Sequence, residues 1–271
     1  MPAFAIAARL AVLLALMPAA QAAAAPEPEL EVVGGVHSRI EGRDCSGAVE
    51  RLKAGLKQGY PRVSLLAGSM YENGICVKAN WANAVTFYVQ AHQGGLPEAA
   101  ERLAAGYADP ANGPDAAAAL WWSLHTRAAR NKVCAVSKEA GTDPDRFVKE
   151  LQAWPQNKLA ACNYITGVIS TISAEVKYPR RAQVQGLGGE LTLRFMPAVP
   201  RVDVKRDGVE EYQLLGWVDG DLARDREAGP AAGEFEQTLR EVARRALRRY
   251  PQPGGIAAGS QVVVKFRFSL Q

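Results

Sequence analysis

The sequence predicts a multidomain protein in which a solenoid of α-helical hairpins precedes a small α+β domain with an antiparallel sheet. Two observations support this fold class. Residues 48 to 107 repeat with a period of 36, and beyond about residue 168 the apolar residues alternate with polar ones. A period in the mid-thirties is typical of helical-hairpin arrays, and alternation is typical of strands. Such arrays present binding surfaces, so we first expect a binding protein.

Residues 1–24 have the pattern of a secretory signal peptide. Arg9 precedes an apolar run over residues 10–17, and small residues follow Pro18. The run is shorter than the roughly 20 residues that a membrane span needs, although an uncleaved anchor stays open as an alternative. We therefore expect a periplasmic protein with no membrane span after cleavage. Residues 25–45 are predicted to be a linker and an irregular lead-in.

The charge balance is mild. The formal net charge of the 271 residues is +4, and it is about +3 once Arg9 is removed with the leader. A charge this small gives no reason to expect a nucleic acid or an acidic membrane surface as the partner.

The four cysteines predict two disulfides, because an even number of cysteines in an exported protein is typical of disulfides. Of the three possible pairings we favour Cys45–Cys76 and Cys134–Cys162. By the 36-residue period, Cys45 corresponds to position 81, so it lies at the start of a second helix, and Cys76 lies just before the next copy of that helix. Successive copies stack side by side and parallel, so the two cysteines should be neighbours. A metal site or free thiols are the alternatives, but the chain has neither CxxC nor closely spaced histidines.

Apolar residues at helical spacing predict the elements of the first domain, residues 46–165. The expected helices are Ser46–Gln58, Arg62–Glu72, Trp81–Gln93, Pro97–Tyr107 and Asp115–Arg130, the first of them being a lone second helix of a partial repeat. A helical cap is expected over residues 143–165, with Asp143 and Pro144 at its start, a break at Trp154-Pro155, and a second helix over Asn157–Tyr164.

Several residues of the array carry a family resemblance. They are Leu66-Ala67-Gly68, Tyr71-Glu72-Asn73-Gly74, Ala84, Phe87-Tyr88, Ala91 and Gly94, with Leu103-Ala104, Tyr107 and Trp121-Trp122 in a looser second copy. This pattern resembles the Sel-one-like repeat, a relative of the tetratricopeptide repeat. The resemblance implies an adaptor for protein assembly. The aromatic residues are expected to form packing contacts between helices rather than a ligand cage.

Alternation predicts the elements of the second domain, residues 168–271. The expected strands are Gly189–Phe195, Arg201–Lys205, Tyr212–Val218 and Gln261–Leu270. A loop is expected over Asp219–Gly233, and an amphipathic helix over Phe235–Tyr250. A helix that covers an antiparallel sheet makes this an α+β domain.

The second domain carries its own resemblance. The residues are Tyr178-Pro179-Arg180-Arg181-Ala182, Gly186, Gly189, Leu191 to Phe195, Val202-Asp203-Val204, the helix ending in Tyr250-Pro251-Gln252-Pro253, and Val262 to Leu270. They resemble a TonB-type C-terminal domain, which implies edge-to-edge pairing with a short segment of an outer-membrane receptor. The chain departs from that family in three ways: it lacks a membrane-anchoring helix and a long Pro/Lys-rich spacer, and it has an insertion between Asp207 and Glu234. These departures argue against energy transduction.

The last strand is the main candidate site. Val263, Lys265, Arg267 and Ser269 are expected to face outward from it, opposite Val262, Val264, Phe266, Phe268 and Leu270. An unpaired strand edge can bind an extended peptide, but outward charges such as Lys265 and Arg267 also protect edges from aggregation.

A stripe of arginines is the second candidate site. Arg240, Arg244 and Arg248 recur one helical turn apart. They are interpreted as a solvated face with favourable charge at the helix C-terminus, or alternatively as contacts for an anionic lipid headgroup or cell-wall polymer.

Catalytic and cofactor patterns are missing from the sequence. His37, His92 and His125 are scattered, and none has a serine, cysteine or aspartate at catalytic spacing. The leading hypothesis is a periplasmic, non-enzymatic adaptor without a cofactor that binds protein partners of the bacterial envelope, an outer-membrane receptor among them. The alternatives are a TonB-type transducer with an uncleaved anchor and an envelope-polymer binding protein.

Overall fold

The computed structural model describes residues 28–126, 132–211 and 233–269, so the expected leader lies outside the described residues. Up to Glu175 the described chain is helical, and the described residues beyond it form a three-stranded antiparallel sheet with two further helices. The helices of the first part are α1 (Pro28–Glu41), α2 (Cys45–Lys57), α3 (Pro61–Asn73), α4 (Trp81–Gln93), α5 (Glu98–Ala108), α6 (Ala116–Ser123), α7 (Pro144–Gln152) and α8 (Gln156–Glu175).

The segment before Cys45 is helix α1, so the expectation of an irregular lead-in is wrong. Val32, Val33, Val36 and Ile40 recur every three or four residues and pack against α2 and α3. Two adjacent glycines within α1 lower its helix propensity by about 1 kcal/mol each, and burial of this apolar face offsets that loss. The first repeat is therefore a complete helix pair rather than a lone second helix.

Helices α2 to α5 lie where the 36-residue period predicts them, within one residue at every end. The second helix of each pair starts behind a side-chain cap. The carboxylate of Asp44 accepts from the Gly47 amide at 2.9 Å, and the Asn80 and Asp115 side chains do the same for α4 and α6. Each cap satisfies a backbone N–H that the first helical turn leaves unpaired. The repeat thus reproduces its helix starts as well as its apolar faces.

Two glycines let neighbouring helices pack tightly against aromatic rings, Gly68 within a helix pair and Gly106 between successive pairs. A Cβ atom on Gly68 would lie 2.5 Å from the ring of Tyr88, and one on Gly106 would lie 2.0 Å from the ring of Trp81. Tyr88 is fully buried, and Trp81 packs edge-on against Tyr107 with ring centroids 5.4 Å apart. These aromatic residues form packing contacts, as the sequence predicts.

Helix α6 is shorter than expected, since it ends at Ser123 rather than at residue 130. The hydroxyl of Ser123 donates to the carbonyl of Leu120 at 2.7 Å, and that of Thr126 donates to the carbonyl of Ser123 at 2.9 Å. Short hydroxyl side chains compete with helical hydrogen bonds in this way and favour helix ends. Residues 127–131 lie outside the described part of the chain.

The two disulfides confirm the predicted pairing. Cys45, the first residue of α2, is bonded to Cys76 in the turn between α3 and α4, with a Cα–Cα distance of 4.9 Å. Cys134 is bonded to Cys162 in α8, with a Cα–Cα distance of 5.5 Å. The first bond joins successive helix pairs, and the second ties the segment after α6 to the cap. Both fit a protein exported to an oxidising compartment.

The second part is a small α+β unit. Its elements are α9 (Arg180–Val184), β1 (Leu187–Met196), β2 (Arg201–Glu211), α10 (Glu234–Arg249) and β3 (Val262–Phe268), and the strand order is β2-β1-β3. Leu191, Leu193 and Phe195 of β1 are fully buried under α10 and α8, because alternate residues of a strand face the same layer. The strand expected at 212–218 and nearly all of the loop expected at 219–233 lie outside the described residues.

Helix α8 belongs to both parts of the molecule. It runs without a break from Gln156 to Glu175, so the domain boundary expected between residues 165 and 168 falls inside it. Its buried residues Ile165, Val168 and Ile172 share one hydrophobic core with the sheet and α10. The α+β unit is therefore packed onto the last helix of the helical part, which fixes the position of its sheet.

Candidate functional site

Strand β3 is an edge strand in the described part of the chain. It pairs antiparallel with β1, with Leu193 opposite Val264, and no backbone bond from a described turn or loop reaches it. Val262, Val264 and Phe268 are buried, whereas Val263 is 42% exposed. The predicted alternation is thus confirmed, and no described strand lies beside the other row of backbone groups along β3.

The charged residues of β3 lie on its exposed face. Lys265, Arg267 and the following Ser269 are all exposed. The guanidinium of Arg267 lies 3.7 Å from the carboxylate of Glu190 on β1. Because this pair neutralises one charge across the strands, Lys265 is the cation that stays available at the middle of the edge.

The arginine stripe lies elsewhere. Arg240, Arg244 and Arg248 are all exposed on α10, and Arg240 donates to the carbonyl of Val204 on β2 at 3.4 Å. Arg244 and Arg248 form no ion pair with another described residue. Since α10 packs over β2 and β1, the stripe and the free edge of β3 are two separate surfaces.

The other arginines of α10 connect the two parts of the molecule, which the sequence analysis missed. Arg249 lies 2.8 Å from the carboxylate of Glu72 in α3 and 2.5 Å from that of Asp109 after α5. One helical turn earlier, Arg245 lies 3.1 Å from Glu175 of α8. A helical-wheel projection gives the missing signal, because Arg245 and Arg249 flank the buried face of α10 whereas Arg248 lies opposite it.

Burial makes the Arg249 contacts strong. The side chains of Glu72 and Asp109 are 6% and 11% exposed. Burial acts to lower the pKa of Arg249, but Tyr250, Glu72 and Asp109 outweigh it and hold that pKa above its ordinary value. The guanidinium therefore stays charged and fixes α10 against the repeats.

Two buried tyrosines complete this junction. The Tyr250 hydroxyl donates to the carbonyl of Ala105 in α5 at 2.9 Å and lies 2.8 Å from the Thr171 hydroxyl. The Tyr88 hydroxyl donates to Glu72 at 2.6 Å. Burial raises the pKa of both tyrosines, and the Glu72 charge adds to the rise at Tyr88.

The first helices of the repeats form a shallow groove of about 250 Å³. Leu30 and Val33 of α1, and Leu65 and Leu66 of α3, give it apolar walls. Its charged rim includes Arg62, which lies 3.8 Å from Glu29. Glu98 and Arg102 of α5 also line the groove.

Metal and membrane features are missing from the described residues. Residues 28–126, 132–211 and 233–269 contain no group of three or more side chains suited to hold a metal ion. In the same ranges, no helix has both the length and the apolar character to cross a bilayer. His92 and His125 lie together with ring centroids 5.9 Å apart, and burial, with the charge of His125, lowers the pKa of His92.

Comparison with known proteins leaves the family open. No protein-family model, no curated protein and no solved structure matches this chain. The similarities to Sel-one-like repeats and to a TonB-type domain therefore stay predictions, based on the residues that carry them.

Proposed function

We propose that this chain is a periplasmic, non-enzymatic adaptor. Its α+β unit binds an extended segment of an envelope or outer-membrane protein along β3, while its helical part holds a second protein. The observation that carries the proposal is the edge of β3 that no described strand covers, seven residues long and fixed in place by a shared core.

The edge of β3 has the chemistry that strand addition requires. Backbone N–H and C=O groups along a free edge give affinity to an added strand, and alternate side chains give specificity. A residue of the added strand beside Val263 would cover its exposed apolar surface. An acidic residue beside Lys265 would add a cross-strand charge pair of roughly 0.2–1 kcal/mol. The expected ligand is therefore an extended segment that carries apolar and acidic residues on one face.

The junction around Arg249 supports the adaptor role. Ion pairs from α10 to α3 and to the end of α5 hold the sheet against the repeats. A partner in the groove of α1, α3 and α5 would thus be kept at a fixed distance from a segment bound at β3. Rigid placement of two partners is what an adaptor provides without catalytic groups.

Titration with peptides from the plugs of outer-membrane receptors tests the proposal. We expect binding that is lost in the Val263→Pro and Lys265→Pro variants, because proline removes a backbone donor and disrupts pairing. The same peptide with N-methylated alternate residues should bind wild-type protein at least tenfold more weakly, which keeps the test valid if a proline variant does not fold. Lys205→Ala on the other edge strand is the matched control. Unchanged binding by both proline variants and by the N-methylated peptide would refute the proposal.

A second candidate function rests on Arg244 and Arg248, which are exposed and form no ion pair with a described residue. Such arginines suit binding of an anionic envelope polymer. Co-sedimentation with purified peptidoglycan tests this function. Loss of binding in an Arg240→Ala, Arg244→Ala, Arg248→Ala triple variant would support it, and equal sedimentation of the variant and wild type would contradict it.

A further inference from the structure

A cavity of about 520 Å³ lies between the two parts of the molecule. Its walls come from the end of α6, from the segment 134–142, from the middle of α8, and from Val262 at the start of β3. Small-molecule sites in proteins span about 300–1,000 Å³ and occur preferentially where structural units meet. Both the size and the position of this cavity are those of a ligand site.

The cavity has one apolar wall and one hydroxyl-rich wall. Leu120, Leu124, Ile165, Ile169 and Val262 provide the apolar surface. The polar surface includes Lys138 and His125. It also includes the serine and threonine hydroxyls of Ser123, Thr126, Ser137, Thr142, Thr166 and Ser170. No aspartate or glutamate is among the described residues that line it.

Two of these residues, Thr166 and Ser170, are largely buried, and their hydroxyls have no hydrogen-bond partner among the described residues. They are 7% and 2% exposed, and neither hydroxyl makes a hydrogen bond to another described residue. They lie four residues apart on α8, so they face the cavity from the same side of the helix. Neither hydroxyl is among the fully buried unpaired atoms of the described residues, so both are accessible from the cavity, and a bound carboxylate could accept a hydrogen bond from each.

The wall opposite α8 is held rigidly. The disulfide from Cys134 to Cys162 fixes one end of the segment to α8. At Ser137, the backbone amide donates to the Glu150 carboxylate at 3.1 Å and the hydroxyl donates to it at 2.6 Å. The same hydroxyl accepts from the Ala140 amide at 3.2 Å. A wall ordered before binding lowers the entropy that a ligand must lose.

We propose that this cavity binds a small amphiphilic acid, with its carboxylate at the hydroxyls of Thr166 and Ser170 and its alkyl body against Ile165 and Ile169. Lys138 and the lack of carboxylates among the described lining residues favour an anion over a cation. A sugar fits poorly, because the described lining residues include no tryptophan, tyrosine or phenylalanine on which to stack and no carboxylate or amide to bind sugar hydroxyls. This site does not depend on peptide capture at β3.

Calorimetric titration with decanoate and decylamine below their critical micelle concentrations, and with decanol below its solubility limit, tests the proposal. We expect decanoate to bind, decanol to bind at least tenfold more weakly, and decylamine not to bind. Equal affinity for all three would show nonspecific partition and overturn the assignment. A preference for decylamine, or no binding of decanoate, would overturn it as well.

Variants then locate the bound acid. Ile169→Trp fills the cavity and should abolish decanoate binding, and Thr166→Val with Ser170→Ala should weaken it about tenfold through the lost hydrogen bonds. The matched control is Thr86→Val with Ser38→Ala, which changes the same residue types at exposed positions. Circular dichroism checks that each variant folds. Decanoate binding that survives in the Thr166→Val, Ser170→Ala variant at wild-type affinity would refute the site, whether or not Ile169→Trp folds.

Discussion

Replacing Arg249 with methionine should destabilise the folded protein by about 3 kcal/mol. Its guanidinium lies 2.8 Å from the Glu72 carboxylate and 2.5 Å from that of Asp109. Both carboxylates are almost completely buried, so the variant leaves two negative charges with little water around them. Removing one partner of a buried ion pair typically costs about 3–5 kcal/mol.

The lower end of that range applies because each carboxylate keeps another donor. Glu72 keeps the Tyr88 hydroxyl at 2.6 Å, and Asp109 keeps the amide of Ala111 at 2.9 Å. The Arg249→Met, Glu72→Gln, Asp109→Asn triple variant should recover at least half of the loss, because it carries no uncompensated charge. Recovery would show that the loss of stability comes from the two uncompensated carboxylates and not from the different shape of the methionine side chain.

Urea unfolding followed by circular dichroism measures the effect. The matched control is Arg248→Met on the same helix turn, whose exposed side chain should change stability by less than about 0.5 kcal/mol. Equal stabilities for the Arg249→Met and Arg248→Met variants would refute the conclusion that Arg249 fixes α10 to the repeats.

Three further predictions concern the disulfide, the buried tyrosine and the glycine contact. The Cys134→Ser, Cys162→Ser double variant should lose about 3–4 kcal/mol in urea unfolding, because the bond closes a loop with a sequence separation of 28, and an unchanged midpoint would contradict this. Burial raises the pKa of Tyr250 above 10.0, so above about pH 10 the folded state keeps a proton that the unfolded state releases. The contribution of Tyr250 to the free energy of unfolding should therefore be complete below about pH 10 and fall above it, by up to about 1.4 kcal/mol per pH unit. Tyr250→Phe should make that fall shallower, and identical slopes would contradict the reasoning. Gly106→Ala should cost about 1–3 kcal/mol in thermal unfolding, since its Cβ would lie 2.0 Å from the Trp81 ring. Gly113 is exposed but cannot serve as a control position, because its positive φ would strain an alanine there.

Local patterns in the sequence are sufficient to predict the repeat helices, the disulfides and the face of β3. The period of 36 places α4 at Trp81–Gln93 without error, and it also brings Cys45 and Cys76 together. In β3 the alternation separates buried Val264 from exposed Val263. Each of these features depends on residues a few positions apart or on a strict repeat, which is why the sequence alone predicts them.

The features that the sequence analysis missed depend on distant contacts. Arg249 bonds to Glu72, which is 177 residues earlier. A helical wheel places Arg249 beside the buried face of α10, but nothing in the local sequence identifies the carboxylates that it meets. Helix α1 forms where an irregular lead-in is expected, because burial of its apolar face against α2 and α3 outweighs the low helix propensity of its two glycines. Helix α8 continues to Glu175 because both the repeats and the sheet bury it, and neither contact is visible in its own sequence.

The backbone amides of β3 provide the most direct test of peptide capture at the sheet edge. Hydrogen exchange followed by NMR should be measured with and without a bound receptor-plug peptide. We expect alternate amides of Val262–Phe268 to gain at least tenfold protection, because every second N–H of an edge strand faces the added strand, while the amides of β2 stay unchanged. Bound peptide with no change in β3 protection would contradict capture at this edge.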